Sequence, residues 1–260
     1  MAEKDKENQF SRRDFLKTTG AFTGGIIGGS LLGGAVGTQT QMFSSNDETA
    51  VSDNADSESE NGTGSAEART FFSRSEDFKT LAAAAERIYP EDDQGPGAIE
   101  LGVPYFIDRQ MGSYYGSNSR DYKKGPFEPL ASDTHGLQEK MNRGEMLLAG
   151  IHRMQEVSQE EHDQAFADLD GEAQDEILKS FDSDDVEIKG MRSRSFFTLL
   201  RNLTIEGVYS DPVYGGNKDM QGWKMIEYPG PRMGWGGQIE SEDFQTMEPE
   251  SLRDYQGGGM

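Results

Sequence analysis

Between Ser75 and Tyr209 apolar residues recur at three- and four-residue spacing in one stretch after another. Nowhere does an alternating run long enough for a sheet appear, so the chain is restricted to a mainly α fold. A first helix is predicted to open with Ser75 as its cap and with Glu76 and Asp77 in its first turn. It runs to Tyr89, where Pro90 stops it, and buries Phe78, Leu81, Ala82, Ala85 and Ile88. Gly95-Pro96-Gly97 then turns the chain into a short second helix whose Val103, Phe106, Ile107 and Met111 face the core, and these two helices should pack as a hairpin. After an irregular aromatic stretch from Tyr114 to Gly136, a longer helix carries Met141, Leu147, Leu148, Ile151 and Met154. Ser158 with Glu161 reads as a capping box that opens a further helix through Phe166 and Leu169, continued from Glu172 to Phe181. A last helix, Lys189 to Tyr209, buries Phe196, Leu199, Leu200, Leu203 and Val208 before Asp211-Pro212 ends it. From Val213 to Met260 the chain is rich in Gly, Pro and aromatic residues, contains no convincing helix, and reads as a long irregular segment held by packing.

Ahead of this helical region stands Ser11-Arg12-Arg13-Asp14-Phe15-Leu16-Lys17, followed by an uncharged run from Thr18 to Asn46. Paired arginines alone would be a weak signal, but Ser, Phe, Leu and Lys also fall at the positions of the twin-arginine consensus. Residues 1–43 are therefore expected to be an export signal read by the twin-arginine translocase through Arg12, Arg13, Phe15 and Leu16. The glycines from Gly20 to Gly37 keep the run weakly apolar, which suits cleavage near Gly37 better than retention as an anchor. Such a chain crosses the membrane folded and ends in the periplasm or on the outer face of the cytoplasmic membrane. Residues 44–70, dense in Ser, Asp, Glu, Asn and Gly, cannot repay the entropy of folding and read as a disordered acidic linker. The folded domain is expected over 71–231, with 232–260 as an irregular tail.

Composition excludes whole classes of function. The net charge of −22, from 47 acidic and 25 basic residues, disfavours nucleic acid and anionic membrane surfaces and suits solubility in high salt. The absence of cysteine removes disulfides, Fe–S clusters, thiol catalysis and CxxCH haem attachment. No strand leads into GxGxxG, and no GxSxG elbow is present. His135, His152 and His162 are scattered, without the spacing of a zinc site, and the pairs Asp92-Asp93 and Asp184-Asp185 lack the spacing of a calcium loop. No residue is singled out as catalytic and no metal or cofactor is expected on this chain. One constellation stands out: Asp211-Pro212-Val213-Tyr214-Gly215-Gly216-Asn217 with Gly222-Trp223-Lys224 combines turn residues with aromatic anchors. It reads either as a tight connection folded back on its own domain or as a partner-binding surface.

Ala83-Ala84-Ala85-Glu86-Arg87-Ile88-Tyr89-Pro90, then Asp93, Gly95-Pro96-Gly97-Ala98, Gly102-Val103 and Phe106-Ile107-Asp108, resemble the N-terminal block of the gluconate 2-dehydrogenase subunit 3 family. Thr204-Ile205-Glu206-Gly207, Asp211-Pro212, Tyr214-Gly215-Gly216-Asn217, Gly222-Trp223-Lys224 and Tyr228-Pro229-Gly230 resemble its C-terminal block. The resemblance implies a non-catalytic accessory subunit of an FAD-dependent sugar or polyol dehydrogenase, acting on gluconate, glucose, fructose, sorbitol or 2-ketogluconate. FAD would sit in a separate large subunit, and haem in a third, cytochrome c subunit. It further implies that the small subunit's signal exports the large one as a passenger. Tyr214, Gly215, Gly216, Asn217, Trp223 and Tyr228 are then the expected contact residues for that partner. A competing expectation is an independent secreted protein of a salt-adapted organism, which uses folded export for its own sake.

Overall fold

The computed structural model describes residues 68–257, apart from 129–130, 132–134, 137, 235–239, 241 and 244. Arg12, Arg13, Phe15 and Leu16, with the whole signal and most of the linker, lie outside these residues. The helices are α1 (Ser75–Ile88), α2 (Val103–Met111), α3 (Arg143–His162), α4 (Gly171–Asp182), α5 (Ser193–Tyr209), α6 (Gln221–Met225) and α7 (Leu252–Gly257). Between α4 and α5 a two-stranded antiparallel hairpin pairs β1 (Glu187–Ile188) with β2 (Met191–Arg192). Among the described residues no helix is long and apolar enough to cross a membrane.

α5 is the central rod, packed against α1, α2, α3 and α4. The core it organises contains Leu81, Ile88, Ile107, Leu147, Ile151, Phe166, Phe181, Phe196, Leu200 and Leu203, all essentially inaccessible. Phe181 and Phe196 meet edge to face, with ring centroids 5.5 Å apart, a favoured arrangement of aromatic quadrupoles. The Phe196 ring occupies the space that a Cβ on Gly150 of α3 would need. Gly150→Ala is therefore expected to lower stability by about 1–3 kcal/mol through overpacking. Urea unfolding monitored by circular dichroism measures this, and an unchanged midpoint would place the ring elsewhere.

Buried carboxylates tie the elements together. Asp108 of α2, inaccessible to solvent, accepts hydrogen bonds from the amides of Thr70, Phe71 and Phe72 and from the Thr70 hydroxyl. It thus gathers the incoming chain one residue before the expected domain start at 71. Arg87 of α1 makes two 2.8 Å hydrogen bonds to buried Asp175 of α4, and these hold the guanidinium more basic than usual. Glu86 accepts from the amides of Glu91 and Ile99, closing the loop that follows α1.

Several expectations need correction. α1 starts at Ser75 itself, with Arg74 in the capping position and no side-chain cap. Asp77 lies in the first turn, as expected, and is buried against α3. The expected break at Ser158 does not occur. α3 runs on to His162 because Ser158 is buried and its hydroxyl donates to the carbonyl of Gln164. The capping box belongs instead to Asn142 and Glu145 at the start of α3. Only a short 3-10 turn, Phe166–Asp168, stands between α3 and α4. α5 begins at Ser193, later than expected, since residues 187–192 form a hairpin too short for alternation to register. Its N-terminus is capped from a distance by Asp184, which accepts from the Ser193 hydroxyl and the Arg194 amide.

The C-terminal region also holds more order than expected, with α6 and α7 inside it. The arm around α7 folds back on residues 211–232. The Leu252 amide donates to Asp211, the Glu250 amide to the carbonyl of Pro229, and Arg232 and Tyr255 both donate to the Glu250 carboxylate.

Candidate functional site

Six residues between 214 and 228 were singled out by their types, and the structure places them on one continuous turn system at the end of α5. Asp211 begins it: one carboxylate oxygen accepts from the Val213 amide at 2.9 Å and the other from Leu252 at 2.8 Å. A 3-10 turn, Pro212–Tyr214, leads to Gly215 at φ 102°, a conformation that glycine enters without a Cβ penalty. Gly216 and Gly222 press so closely on α5 that a Cβ on either would meet the backbone carbonyl of Gly207 or Val208. These glycines pack the segment against its own domain.

Asn217 is the staple of this turn. It is completely buried, its Nδ2 donates to the Ser210 carbonyl at 2.8 Å, and its Oδ1 accepts from the Gly222 amide at 2.7 Å. Next to it the Lys218 amide donates to Leu101, which fastens the segment to the loop before α2. Trp223, on α6, is only 3% exposed and donates its indole N–H to the Tyr209 carbonyl at 2.8 Å. The ring of Tyr228 stands edge-on to it, with centroids 5.3 Å apart.

The six residues thus divide into two groups. Asn217 and Trp223 are internal, and Gly215 and Gly216 serve close approach within the domain. Tyr214 and Tyr228 are 50% and 44% exposed. Three exposed apolar residues that the sequence reading passed over join them on the same two segments: Ile99 at 50%, Ile226 at 53% and Met233 at 80%. Among the described residues, five of the seven large exposed apolar side chains belong to loop 95–102 or segment 212–233; the other two are Tyr114 and Tyr122. Since Lys218 bonds to Leu101, and Met225 lies against Gly95, both segments build one side of the molecule. The signal that could have found Ile99, Ile226 and Met233 was their apolar character within loops that carry no helical period.

Elsewhere, polar clusters fasten elements to one another. His152 Nε2 lies 3.3 Å from Asp77 Oδ2, and Gln155 donates to Asp77 Oδ1 and to Thr80, joining α1 to α3. His152 also borders an open cleft of about 420 Å³ lined by Ala149, Arg153, Glu156 and residues 187–189. Arg143, at the start of α3, donates from its amide to Asn118 and from its guanidinium to Asp121, and lies 4.2 Å above the ring of Tyr115. The hydrogen bond from Arg143 holds the Asp121 carboxyl below its usual range. Among the described residues no group of three His, Cys, Asp or Glu side chains is arranged to hold a metal ion. The exposed side chains of loop 95–102 and segment 212–233 offer recognition through apolar and aromatic contacts.

Comparison with known proteins gives one match. The family described as gluconate 2-dehydrogenase subunit 3 matches residues 75–230, an interval that runs from the first residue of α1 to the glycine after the Tyr228 turn. No curated protein and no solved structure matches the chain.

Proposed function

Because the chain belongs to the gluconate 2-dehydrogenase subunit 3 family, and is thereby an accessory subunit of a dehydrogenase complex, we propose that it escorts a flavoprotein partner through twin-arginine export and stabilises it afterwards. In this reading the chain itself is non-catalytic. FAD is bound by the large dehydrogenase subunit, which has no signal of its own, and a cytochrome c subunit carrying haem receives the electrons. The assembled complex stands at the outer face of the cytoplasmic membrane or in the periplasm.

The family match is the observation that carries this reading, and two others support it. The Ser11–Lys17 stretch has the residues of a twin-arginine signal, and folded export is most useful where a cofactor must be inserted before translocation. The exposed apolar side of the domain, around Tyr214 and Tyr228 with Ile99, Ile226 and Met233, supplies the kind of surface on which a permanent partner docks.

Replacing Arg12 and Arg13 together by lysine, which keeps the charge but removes the guanidinium pair, tests the escort directly. The expected result is that nearly all of this chain and of the yellow flavoprotein that co-purifies with it remain in the cytoplasm. Fractionation followed by flavin absorbance and mass spectrometry measures it. Should the flavoprotein still reach the envelope at its normal level, it does not travel with this chain.

A further inference from the structure

Glu227 occupies a backbone position that favours glycine. α6 ends at Met225, and the amides of Ile226, Glu227 and Tyr228 turn back onto the carbonyls of Trp223 and Lys224. Glu227 closes this turn at φ 55°, in the left-handed region where a Cβ is disfavoured and where helix ends normally place glycine. Its side chain is exposed, and among the described residues it forms no ion pair or side-chain hydrogen bond. Exposed Ile226 stands before it and exposed Tyr228 after it.

The turn is also held rigidly. Buried Trp223 lies beneath the Tyr228 ring. Behind the turn, Gly230 takes φ 79° where the backbone of Glu250 crosses so closely that a Cβ would strike the Glu250 carbonyl. Arg232 anchors that crossing segment by donating to the Glu250 carboxylate and the Glu248 carbonyl. The bracing segment lies beyond residue 230, where the family match ends. A disfavoured backbone held in place by its surroundings, with an acid and two apolar side chains presented outward, is the signature of a preorganised contact.

We propose that Ile226-Glu227-Tyr228 is the recognition knuckle for the dehydrogenase subunit, the Glu227 carboxylate pairing with a Lys or Arg of that subunit while Ile226 and Tyr228 fill apolar contacts on either side. The inference rests on the accessory-subunit reading and names the surface that carries it out. A second copy of this chain is the less suitable occupant, because two bodies of net charge −22 repel, whereas a cationic partner surface is attracted.

The full chain carrying an affinity tag is co-expressed with the flavoprotein, and the flavin recovered with it is measured. Glu227→Lys is expected to reduce the recovered flavoprotein by about tenfold with the thermal midpoint of the chain unchanged. Glu227→Gly relieves the backbone, so it should raise the midpoint by a few degrees and still reduce recovery. Hydrogen exchange on the wild-type complex should show amides 225–233 slowed relative to the free chain. Equal recovery with Glu227→Lys, or no slowing of 225–233 in the complex, overturns the knuckle while leaving the accessory role intact. If the wild-type chain recovers no flavoprotein, the accessory reading itself fails. Concentration-dependent slowing of 225–233 in the isolated chain would identify a second copy as the occupant and also overturn the proposal.

Discussion

Asp108→Ala is expected to destabilise the domain by about 4 kcal/mol. The carboxylate is inaccessible to solvent and accepts from three consecutive backbone amides, those of Thr70, Phe71 and Phe72, and from the Thr70 hydroxyl. Removing it leaves these donors without their acceptor, and the Phe72 side chain that follows them is itself part of the core. Each hydrogen bond to a charged group contributes about 1.5–3 kcal/mol; the bonds share one acceptor, so their effects do not add in full. For a domain of this size the corresponding fall in melting temperature is about 10 °C. Asp108→Asn should fall between, because the amide keeps one acceptor oxygen but turns an NH₂ group toward N–H donors. Urea unfolding together with limited proteolysis reads both parts of the effect: a lower midpoint, and new cleavage near residues 68–72. A loss below about 1 kcal/mol would mean that the entering chain is not held by this carboxylate.

The second large effect is expected at Trp223. Trp223→Ala removes a nearly inaccessible indole, its hydrogen bond to the Tyr209 carbonyl and its edge contact with Tyr228, at a cost of about 3–5 kcal/mol. Unlike the loss at Asp108, this one is centred on segment 211–233. Proteolytic cleavage should therefore appear there first, and flavoprotein recovery should fall in parallel. Trp223→Phe keeps most of the buried area and loses chiefly the indole donor, so it should cost only about 1 kcal/mol and retain the partner. If Trp223→Ala unfolds the domain no more than Trp223→Phe does, the indole is not what seats the turn on α5.

The six residues expected at the partner surface show how far residue type alone reaches. Tyr214 and Tyr228 lie at the surface, while Asn217 and Trp223 lie inside. All are turn formers or large aromatics, and both classes serve equally well as anchors on a partner or as staples within a domain. The difference is set by whether α5 and loop 95–102 stand above or below the side chain, which no local pattern encodes. Three of the residues that carried the family resemblance proved to be such staples: Glu86 holds the loop after α1, Asp108 holds the entering chain, and Asn217 closes the turn after α5.

Helix type and much of the core were legible without coordinates. The spacing of Leu81, Ala85 and Ile88, of Leu147, Ile151 and Met154, and of Phe196, Leu200 and Leu203 records a helical face within a few residues, and Pro90 and Pro212 mark ends that depend only on the local backbone. The mainly α architecture was thus determined by the sequence itself. Only the tertiary structure decided what the carboxylates do. Asp77 reaches His152 across 75 residues, Asp108 reaches Thr70 across 38, and Asp211 reaches Leu252 across 41. In a chain with 47 acids these look no different from the solvated ones until folding removes water from around them. A buried carboxylate must find donors wherever the packed helices bring them, and that requirement has no period along the chain.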